Sequence, residues 1–447
     1  MRLSGNPRRL SLFALAILLC GATYASAQAG SLDPTFATSG IFTVPAVRGN
    51  ALGVAIQSNG QIVVAGSGID ADGLVDTILR LNTDGTLDTT FGSGGIVTIN
   101  NTGGFFAVAI QSNGEIVAAG SASGEVPSYV QVARFETNGS LDTSFGSGGL
   151  TTATAIPFLP ITGAGNFTEN PGAALALQPN GEILVAASNP GVMGRFTTSG
   201  QLDATFGNGG IVTLANVGPA LANTASPSPT QIVVEKSGKI LVAAGIPTPT
   251  PVALAGTLSR YNSDGSLDTT FGALGSAASV ATPTALVLQK DGKIVVAGAL
   301  AVVPPAANRV GFGLVRYNSA GMVDKTFGSG GVAVADFGTN AALSGAFALA
   351  IQSNGELVAA GAAAQGPFFS GFNSAFGLAR FTTTGALDSS FGTGGLVMTT
   401  LESGSSVYSY VAGMAIQSDG KIVAAGSTIV DEGFDHGAAQ VARYLAQ

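Results

Sequence analysis

The chain contains few charged residues, one cysteine, one histidine and no tryptophan. Asp, Glu, Lys and Arg make up only 10% of its 447 residues and the hydrophobic share is 46%, which excludes disorder caused by high charge. The single cysteine is Cys20 and the single histidine is His436. Neither a Ser-His-Asp motif nor a Gly-rich phosphate loop is recognisable. The sequence therefore identifies no catalytic residue.

Only the N-terminus is apolar enough to act as a targeting segment. Three arginines precede the run LFALAILLC, and ASAQA then places small residues before cleavage points after Ala27 or Ala29. This pattern predicts a signal peptide over residues 1–29. Cys20 follows Leu19 rather than a small residue, which argues against a lipid anchor, and RRLSL indicates twin-arginine export only weakly.

Cleavage would leave an acidic chain without cysteine, with 15 basic residues against 26 acidic ones and a net charge of −11. Such a chain forms no disulfide in an oxidising compartment, and its charge argues against nucleic acid or anionic lipid as a partner. The longest other apolar run, residues 294–303, is far shorter than the roughly 20 residues of a membrane helix. We therefore expect a secreted, periplasmic or cell-surface monomer without a membrane span.

Three phrases recur seven times each in a fixed order. The first, as in AIQSNGQIVVAG, predicts a hairpin, because Asn-Gly, Asp-Gly or Ser-Gly between two apolar runs supplies the positive φ of a tight turn. The second is Arg before an apolar or aromatic residue, and it closes a third strand. The third, as in LDTTFGSGG, has Asp three residues before Phe and leads into a short fourth strand. The phrases are marked by Gln57, Gln111, Gln178, Glu235, Gln289, Gln352 and Gln417; by Arg80, Arg134, Arg195, Arg260, Arg316, Arg380 and Arg443; and by Asp33, Asp88, Asp142, Asp203, Asp268, Asp324 and Asp388.

Four strands per unit, with successive motif Asp residues 54 to 65 positions apart, match the blade of a β-propeller. The first strand is rich in Ala and Val, which suits a crowded inner position. The second strand is apolar on both faces, as expected of a strand covered by neighbouring blades. The predicted fold is all-β: a seven-bladed β-propeller with four antiparallel strands per blade.

The two ends of the repeated region complete each other. The segment LDPTFATSGIFTV, which follows the signal peptide, has the sequence of the end of a repeat. The last phrase of the chain, ARY, is the part of a repeat that directly precedes such an end. We therefore expect Ile41–Val44 to form the outer strand of the last blade, beside strands near 411–416, 421–426 and 439–444. The N-terminal strand would then close the ring within a single domain of residues 31–447.

The phrases ALAIQ.NGKIVVAG and ARY..DGSLD.TFG.GG, with a period near sixty, resemble the delta-60 repeat family over residues 32–447. The resemblance implies a bacterial extracytoplasmic β-propeller without an assigned activity. Two copies depart from the pattern. Glu235 replaces Gln in the fourth, and AASNPGVMGR shortens the link between strands two and three in the third.

The motif Arg precedes the motif Asp by eight positions in all six internal copies, which predicts a pair. In a structural interpretation, each Asp accepts hydrogen bonds from its own turn or from the Arg, and the Phe fills the space between blades. In a functional interpretation, the seven charges form a ligand-binding ring. Each of seven blades needs the same turn, whereas a binding site rarely needs seven identical copies of one residue. The sequence therefore favours the structural interpretation.

Length varies only in the links between strands two and three and between successive blades, which emerge on one face of a propeller. Variable loops are typical of binding surfaces, and the longest inserts, residues 151–177 and 211–234, carry Phe158 and Phe167. The inserts either contact a sugar or peptide or merely pad the rim. A binding or scaffolding module for a glycan, a peptide or an envelope protein is the main expectation. A carbohydrate-active enzyme with paired carboxylates and a structural spacer are the alternatives.

Ring closure would also bring two acidic links together on the variable face. The first blade offers Asp70, Asp72 and Asp76 in GSGIDADGLVDTI, and the seventh offers Asp431, Glu432, Asp435 and His436 in GSTIVDEGFDHGAAQ. Alternating carboxylates beside Gly suit the oxygen preference of calcium, although the spacing is not that of an EF-hand. The predicted calcium ligands are Asp70, Asp72, Asp76, Asp431 and Asp435; otherwise the two links are solvated acidic loops.

Overall fold

The computed structural model describes residues 28–70, 73–100, 103–122, 128–158, 173–188, 191–214, 228–245, 256–279, 282–301, 310–338, 344–365, 373–402, 407–430 and 437–446. These residues form the following strands: β1 (Ile41–Ile56), β2 (Ile62–Asp70), β3 (Gly73–Leu81), β4 (Ile96–Ile99), β5 (Phe105–Ile110), β6 (Ile116–Ala122), β7 (Ser128–Phe135), β8 (Leu150–Phe158), β9 (Ala173–Leu177), β10 (Ile183–Ala187), β11 (Val192–Phe196), β12 (Ile211–Thr213), β13 (Ser228–Val234), β14 (Ile240–Gly245), β15 (Gly256–Tyr261), β16 (Ser276–Ser279), β17 (Thr282–Leu288), β18 (Ile294–Ala301), β19 (Val310–Tyr317), β20 (Val332–Ala335), β21 (Gly345–Ile351), β22 (Leu357–Gln365), β23 (Asn373–Phe381), β24 (Leu396–Thr399), β25 (Val407–Ile416), β26 (Ile422–Val430) and β27 (Ala438–Tyr444).

The strands form seven antiparallel blades of four strands each, as the sequence predicts. Blade 1 contains the second half of β1 with β2, β3 and β4, and blades 2 to 6 take the next strands four at a time. Blade 7 contains β25, β26, β27 and the first half of β1. The first strands of successive blades contact one another in cyclic order, and β25 contacts β1. The fold is therefore a closed seven-bladed β-propeller.

A single continuous strand closes the ring. Ile41 to Thr43 of β1 pair with β27 in the register Ile41↔Ala442, and β1 then runs on to pair with β2 in the register Ile56↔Ile62. The predicted closing strand at residues 41–44 is confirmed. The direct continuation of this outer strand into the innermost strand of blade 1 was not predicted from the sequence.

The hairpin phrases form tight turns on one face of the ring. In blade 1, the Gln57 N–H donates to the Gln61 carbonyl oxygen at 2.9 Å, and the Gly60 N–H donates to the Gln57 carbonyl oxygen at 2.8 Å. Gly60 has φ +86°, and the equivalent glycines of the other hairpins lie between +82° and +91°. A β-carbon disfavours this region, so the phrase requires Gly at this position.

Buried side chains fill the space between each pair of neighbouring blades, in seven separate clusters. The second strand of a blade contributes to two of them. In β6, Val117 and Ala119 pack toward blade 3, while Ile116 and Ala118 pack toward blade 1. All four side chains are fully buried, which confirms the prediction that strand two is covered on both faces.

No helix of the described residues has both the length and the apolar character needed to cross a bilayer.

Candidate functional site

The face with the hairpin turns carries a repeated contact between blades, which we call the clasp. In blade 2, Arg134 Nε donates to Asp142 Oδ2 at 2.6 Å, and Arg134 Nη1 donates to the carbonyl oxygen of Thr198 in blade 3 at 2.6 Å. The guanidinium carbon lies 4.8 Å from the centre of the Phe145 ring, within cation–π range. One side chain therefore joins its own Asp and Phe to the turn of the next blade.

The clasp is present at all seven blade boundaries. In blade order, the Arg Nη1 atoms donate to the carbonyl oxygens of Thr137, Thr198, Ser263, Ser319, Thr383, Ala446 and Thr83. A backbone hydrogen bond accompanies each clasp, as from Gly146 N–H to the Ser199 carbonyl oxygen at 2.9 Å. The clasp face is thus bonded from blade to blade around the whole ring.

Each motif Asp also fixes its own turn. Asp142 Oδ1 accepts hydrogen bonds from the backbone N–H of Ser144 at 2.9 Å and from its hydroxyl at 2.7 Å. Burial raises the pKa of Asp142, but the hydrogen bonds from Ser144 and Arg134 outweigh burial and hold the pKa below 3.8. The carboxylate stays ionised and is committed to the turn and the Arg.

The clasp has a further charged member that the sequence analysis missed. The residue after the hairpin Gly is Glu in three blades, where it approaches the Arg, and Lys in three others, where it approaches the Asp. Glu115 lies 3.3 Å from Arg134, and Lys239 Nζ lies 2.6 Å from Asp268 Oδ2. In the divergent fourth copy, Glu235 lies 3.6 Å from Arg260 in the same cluster. The presence of either Glu or Lys at this repeat position was visible in the sequence.

These contacts support the structural interpretation of the motif charges. The seven motif Arg side chains are only 5 to 10% exposed, and their Asp partners are 2 to 13% exposed. Each pair is surrounded by bonds to its own turn and to the next blade. A ligand would have to replace these bonds, so the motif charges hold the ring together and do not form a ligand-binding ring.

Blade 2 adds one acidic group to its clasp. The carboxylates of Glu115, Glu136 and Asp142 lie within 4.8 Å of one another, an arrangement of oxygens that suits a cation. Arg134 lies between two of them, 3.3 Å from Glu115 and 2.5 Å from Asp142. Its guanidinium already neutralises part of this charge, so the cluster is an extension of the clasp.

The opposite face carries the links whose lengths vary. Of the predicted calcium ligands, only Asp76 has a described side chain. It is fully buried in β3, and its Oδ1 accepts a hydrogen bond from the Gly104 N–H at 2.5 Å. Asp70 ends β2, and its side chain, together with Asp72, Asp431 and Asp435, lies outside the described residues. Calcium binding stays a prediction.

The long inserts and the predicted signal peptide also lie largely outside the described residues. Within 151–177 and 211–234, the structure leaves out residues 159–172 and 215–227, and it leaves out residues 1–27 at the N-terminus. Thr151 to Phe158 extend the outer strand β8, which is longer than the outer strands of the other blades. Whether the inserts contact a sugar or peptide or pad the rim therefore stays open.

A small cavity lies where blade 7 meets blade 1. It has a volume of about 10 Å³ and is lined by residues that include Asn50, Thr77 and Ala439. Asn50 Oδ1 and Thr77 Oγ1 are buried there without a hydrogen-bond partner among the described residues. A volume of this size suits one water molecule, so the cavity fits a structural water and is too small for a substrate.

The protein-family model described as "Domain of unknown function (DUF5122) beta-propeller" matches six segments of the chain. They are residues 57–91, 111–145, 236–271, 289–327, 352–391 and 417–446. The segments lie in blades 1, 2, 4, 5, 6 and 7, so six of the seven blades are similar to this β-propeller repeat. The narrower name, delta-60 repeat, stays a prediction. The comparison with curated proteins gives no match.

Several solved structures are similar to this chain over most of its length. A catalytically inactive variant of virginiamycin B lyase from Staphylococcus aureus is 14% identical with a TM-score of 0.47, over 90% of this chain and 98% of that chain. The polysaccharide lyase Uly1 is 12% identical with a TM-score of 0.46, over 92% of each chain. YCF48 from Cyanidioschyzon merolae is 11% identical with a TM-score of 0.45, over 90% of this chain and 99% of that chain. Identities and TM-scores this low carry no argument about the activity of this chain.

Proposed function

We propose that this chain, six of whose blades are similar to a β-propeller repeat, is an extracytoplasmic binding or scaffolding module whose ligand contacts the face with the variable links. The ligand would be a glycan, a peptide or another envelope protein. Export rests on the signal-peptide pattern of residues 1–29.

The observation that carries the proposal is the difference between the two faces. On the clasp face, seven Arg side chains, each paired with the Asp of its own blade, donate to a carbonyl oxygen of the next blade at every boundary. The links of variable length join the strands at their other ends, and every clasp of the described residues lies on the hairpin side. A rigid ring with one constant face and one variable face is typical of scaffolds that present binding loops.

The motif carboxylates do not supply the acid that glycosidic bond cleavage would need. Glycosidic bond cleavage needs a pair of carboxyl groups, of which one carries a proton near neutral pH. The motif Asp residues with a shifted pKa in the described part of the chain all have it lowered, through their hydrogen bonds and Arg partners. These seven carboxylates therefore do not suit the role of general acid.

The proposal can be tested with the exported protein starting at Gln28, immobilised and screened on glycan and peptide arrays. A hit is then measured with a variant in which residues 159–172 are replaced by a short Gly-Ser linker, and with a second in which residues 215–227 are replaced. Ser353→Ala, an exposed hairpin residue on the clasp face, serves as the matched control.

We expect at least one linker variant to lose the hit while its melting temperature stays close to that of the parent, because the flanking strands keep their pairing. The control should bind like the parent. Binding that survives both replacements but is lost in Ser353→Ala would contradict the proposal. So would release of oligosaccharide from a bound glycan, which would indicate an enzyme.

A further inference from the structure

The boundary between blades 4 and 5 breaks the repeat pattern of the clasp face. Two apolar residues, Leu274 and Met322, occupy turn positions that are Gly or small and polar in nearly every other blade. The positions equivalent to Leu274 are Gly94, Gly148, Gly209, Gly330, Gly394 and Ser39; those equivalent to Met322 are Thr86, Ser140, Gln201, Ser266, Ala386 and Ser31. Both replacements fall on turns that face each other across one boundary.

The clasp of blade 4 brings the two turns together. The Gly272 N–H donates to the Ala320 carbonyl oxygen at 2.8 Å, and a β-carbon on Gly321 would lie 2.9 Å from the Phe271 ring. Leu274 follows Gly272 by two residues, and Met322 follows Gly321 directly. The two apolar side chains therefore lie on adjoining turns of the same face.

These side chains are exposed to solvent. Leu274 is 75% exposed, Met322 is 60% exposed and Val323 is 40% exposed. They are three of the five large hydrophobic residues that are exposed in the described part of the chain. Neighbouring exposed apolar side chains are typical of an interaction surface, whereas single ones are ordinary.

The backbone at Leu274 is also strained. Its φ is +54°, while the glycines at the equivalent positions lie between +62° and +65°. A β-carbon disfavours this left-handed conformation, and nothing in the fold requires a large side chain there. A strained, exposed Leu where Gly suffices points to a role outside folding.

The same two blades concentrate the positive charge of the clasp face. All six lysines of the sequence lie on its turns, and five of them belong to blades 4 and 5. Lys239 and Lys293 take part in clasps, but Lys236, Lys290 and Lys325 are exposed and form no ion pair with any described residue. We call Leu274, Met322 and Val323, together with these three unpaired lysines, the blade 4–5 patch.

The rest of the face differs in charge. The hairpin and Asp turns of blades 1 to 3 hold seven acidic and three basic residues, whereas those of blades 4 and 5 hold five acidic and seven basic ones. The patch is therefore a basic and apolar surface on a protein whose net charge is −8. Such a surface attracts a negatively charged partner.

We propose that the blade 4–5 patch docks an acidic polypeptide segment that carries an apolar side chain. The three lysines meet the acidic groups, and the apolar side chain packs between Leu274 and Met322, where the flexible thioether adapts to its shape. A second copy of this chain fits less well. It offers acidic turns on blades 1 to 3, but none of the exposed large hydrophobic residues of the described chain lies there.

The test uses the mature protein and a short fluorescein-labelled peptide of glutamates interrupted by single leucines, followed by fluorescence anisotropy. One variant, Leu274→Gly with Met322→Thr, restores the repeat residues at the apolar positions. Another, Lys236→Ser with Lys290→Ser and Lys325→Thr, restores them at the charged positions. Met398→Thr, which changes an exposed Met of blade 6, is the matched control.

We expect each patch variant to weaken binding about tenfold and the control to leave it unchanged. Replacing the leucines of the peptide by serine should weaken binding to the parent as much as Leu274→Gly with Met322→Thr does. The apolar variant should melt at the same or a higher temperature, because Gly relieves the strain at residue 274.

Three results would overturn the proposal. The first is equal binding of the peptide by the parent and both patch variants. The second is a dimer of the parent, seen by sedimentation velocity, that the Leu274→Gly and Met322→Thr variant abolishes, since the occupant would then be a second copy. The third is binding of anionic vesicles but not of the peptide. The proposal concerns the face opposite the variable links, so it and the proposed loop-face function fail independently.

Discussion

Arg443, on the last strand, donates a hydrogen bond to Asp33, at the start of the described chain, and its second nitrogen forms an ion pair with the same carboxylate. Arg443 Nε lies 2.9 Å and Nη2 lies 2.8 Å from Asp33 Oδ2, although 410 positions separate the two residues. The Arg443 side chain is 5% exposed and that of Asp33 is 2% exposed. This pair forms the clasp of blade 7 and joins the two ends of the described chain. In every other blade, the Arg and the Asp of the clasp are eight positions apart.

Breaking this pair should destabilise the whole ring. Arg443→Met leaves Asp33 buried with only Lys421 as a charged partner, 3.2 Å away, so we expect a loss of about 3 kcal/mol in the free energy of unfolding. Adding Asp33→Asn should recover part of this loss, because the double variant has no uncompensated charge. Urea unfolding measures both. A loss below about 1 kcal/mol in the single variant would contradict the role of the pair.

The clasps should make the protein sensitive to acid. Burial would raise the pKa of Asp33, but hydrogen bonds from Thr35 and Lys421 and the charge of Arg443 lower it to about 2, and the pKa of Asp88 is likewise lowered to about 2. Because these values are below the unfolded value near 3.9, the stability they contribute is present above about pH 4 and is lost as the pH falls through 2. Each such Asp contributes about 2 kcal/mol.

Urea midpoints measured between about pH 6 and pH 2 test this dependence. We expect a steep fall below about pH 4 and a shallower fall in Asp88→Asn, which has one carboxylate fewer to protonate. A midpoint that stays constant down to about pH 2 would show that the clasps are not coupled to protonation.

The packing of residues 28 to 30 predicts which of the two cleavage points is used. The Ala29 carbonyl oxygen accepts a hydrogen bond from the Gly392 N–H at 2.8 Å, and the Ala29 side chain lies in the cluster between blades 6 and 7. Gln28 Nε2 donates to the Gly392 carbonyl oxygen at 2.5 Å. Cleavage after Ala27 keeps these contacts, whereas cleavage after Ala29 removes them.

We therefore expect Gln28 as the first residue of the exported protein, which its intact mass would show. A protein that starts at Gly30 should melt at a lower temperature than one that starts at Gln28, since it lacks the bond to Gly392. Export with Gly30 as the N-terminal residue would refute this prediction.

The calcium prediction can be tested by melting the mature protein in millimolar calcium and in chelator. A cation that binds only the folded state raises the melting temperature, and Asp72→Ala with Asp435→Ala should abolish the rise. Asp76 is a weaker candidate because its Oδ1 already binds Gly104. The control variant is Asp291→Ala with Asp419→Ala, which changes two half-exposed acids on the clasp face. It removes the same charge and should leave the rise in melting temperature intact. Identical curves with calcium and with chelator would exclude the site.

The sequence by itself determined the blade, the number of blades and the closing strand. The blade and its number depend on interactions between residues close in the chain: the Asn-Gly hairpin, the bond that Asp142 accepts from Ser144, and the Arg–Asp pair eight positions apart. Such contacts form wherever the phrase occurs, so seven copies of the phrase indicate seven blades. The split of the last copy between the two ends then required closure.

Only the tertiary structure decided which residues of neighbouring blades contact each other. The carbonyl oxygen that Arg134 reaches lies 64 positions away, and no spacing in the sequence identifies it. The contact of the Leu274 turn with the Met322 turn is of the same kind, since it depends on the packing of Phe271 against Gly321. Local hydrogen bonds fix the shape of a repeat, but contacts between repeats depend on how whole sheets pack, and no local pattern encodes that geometry.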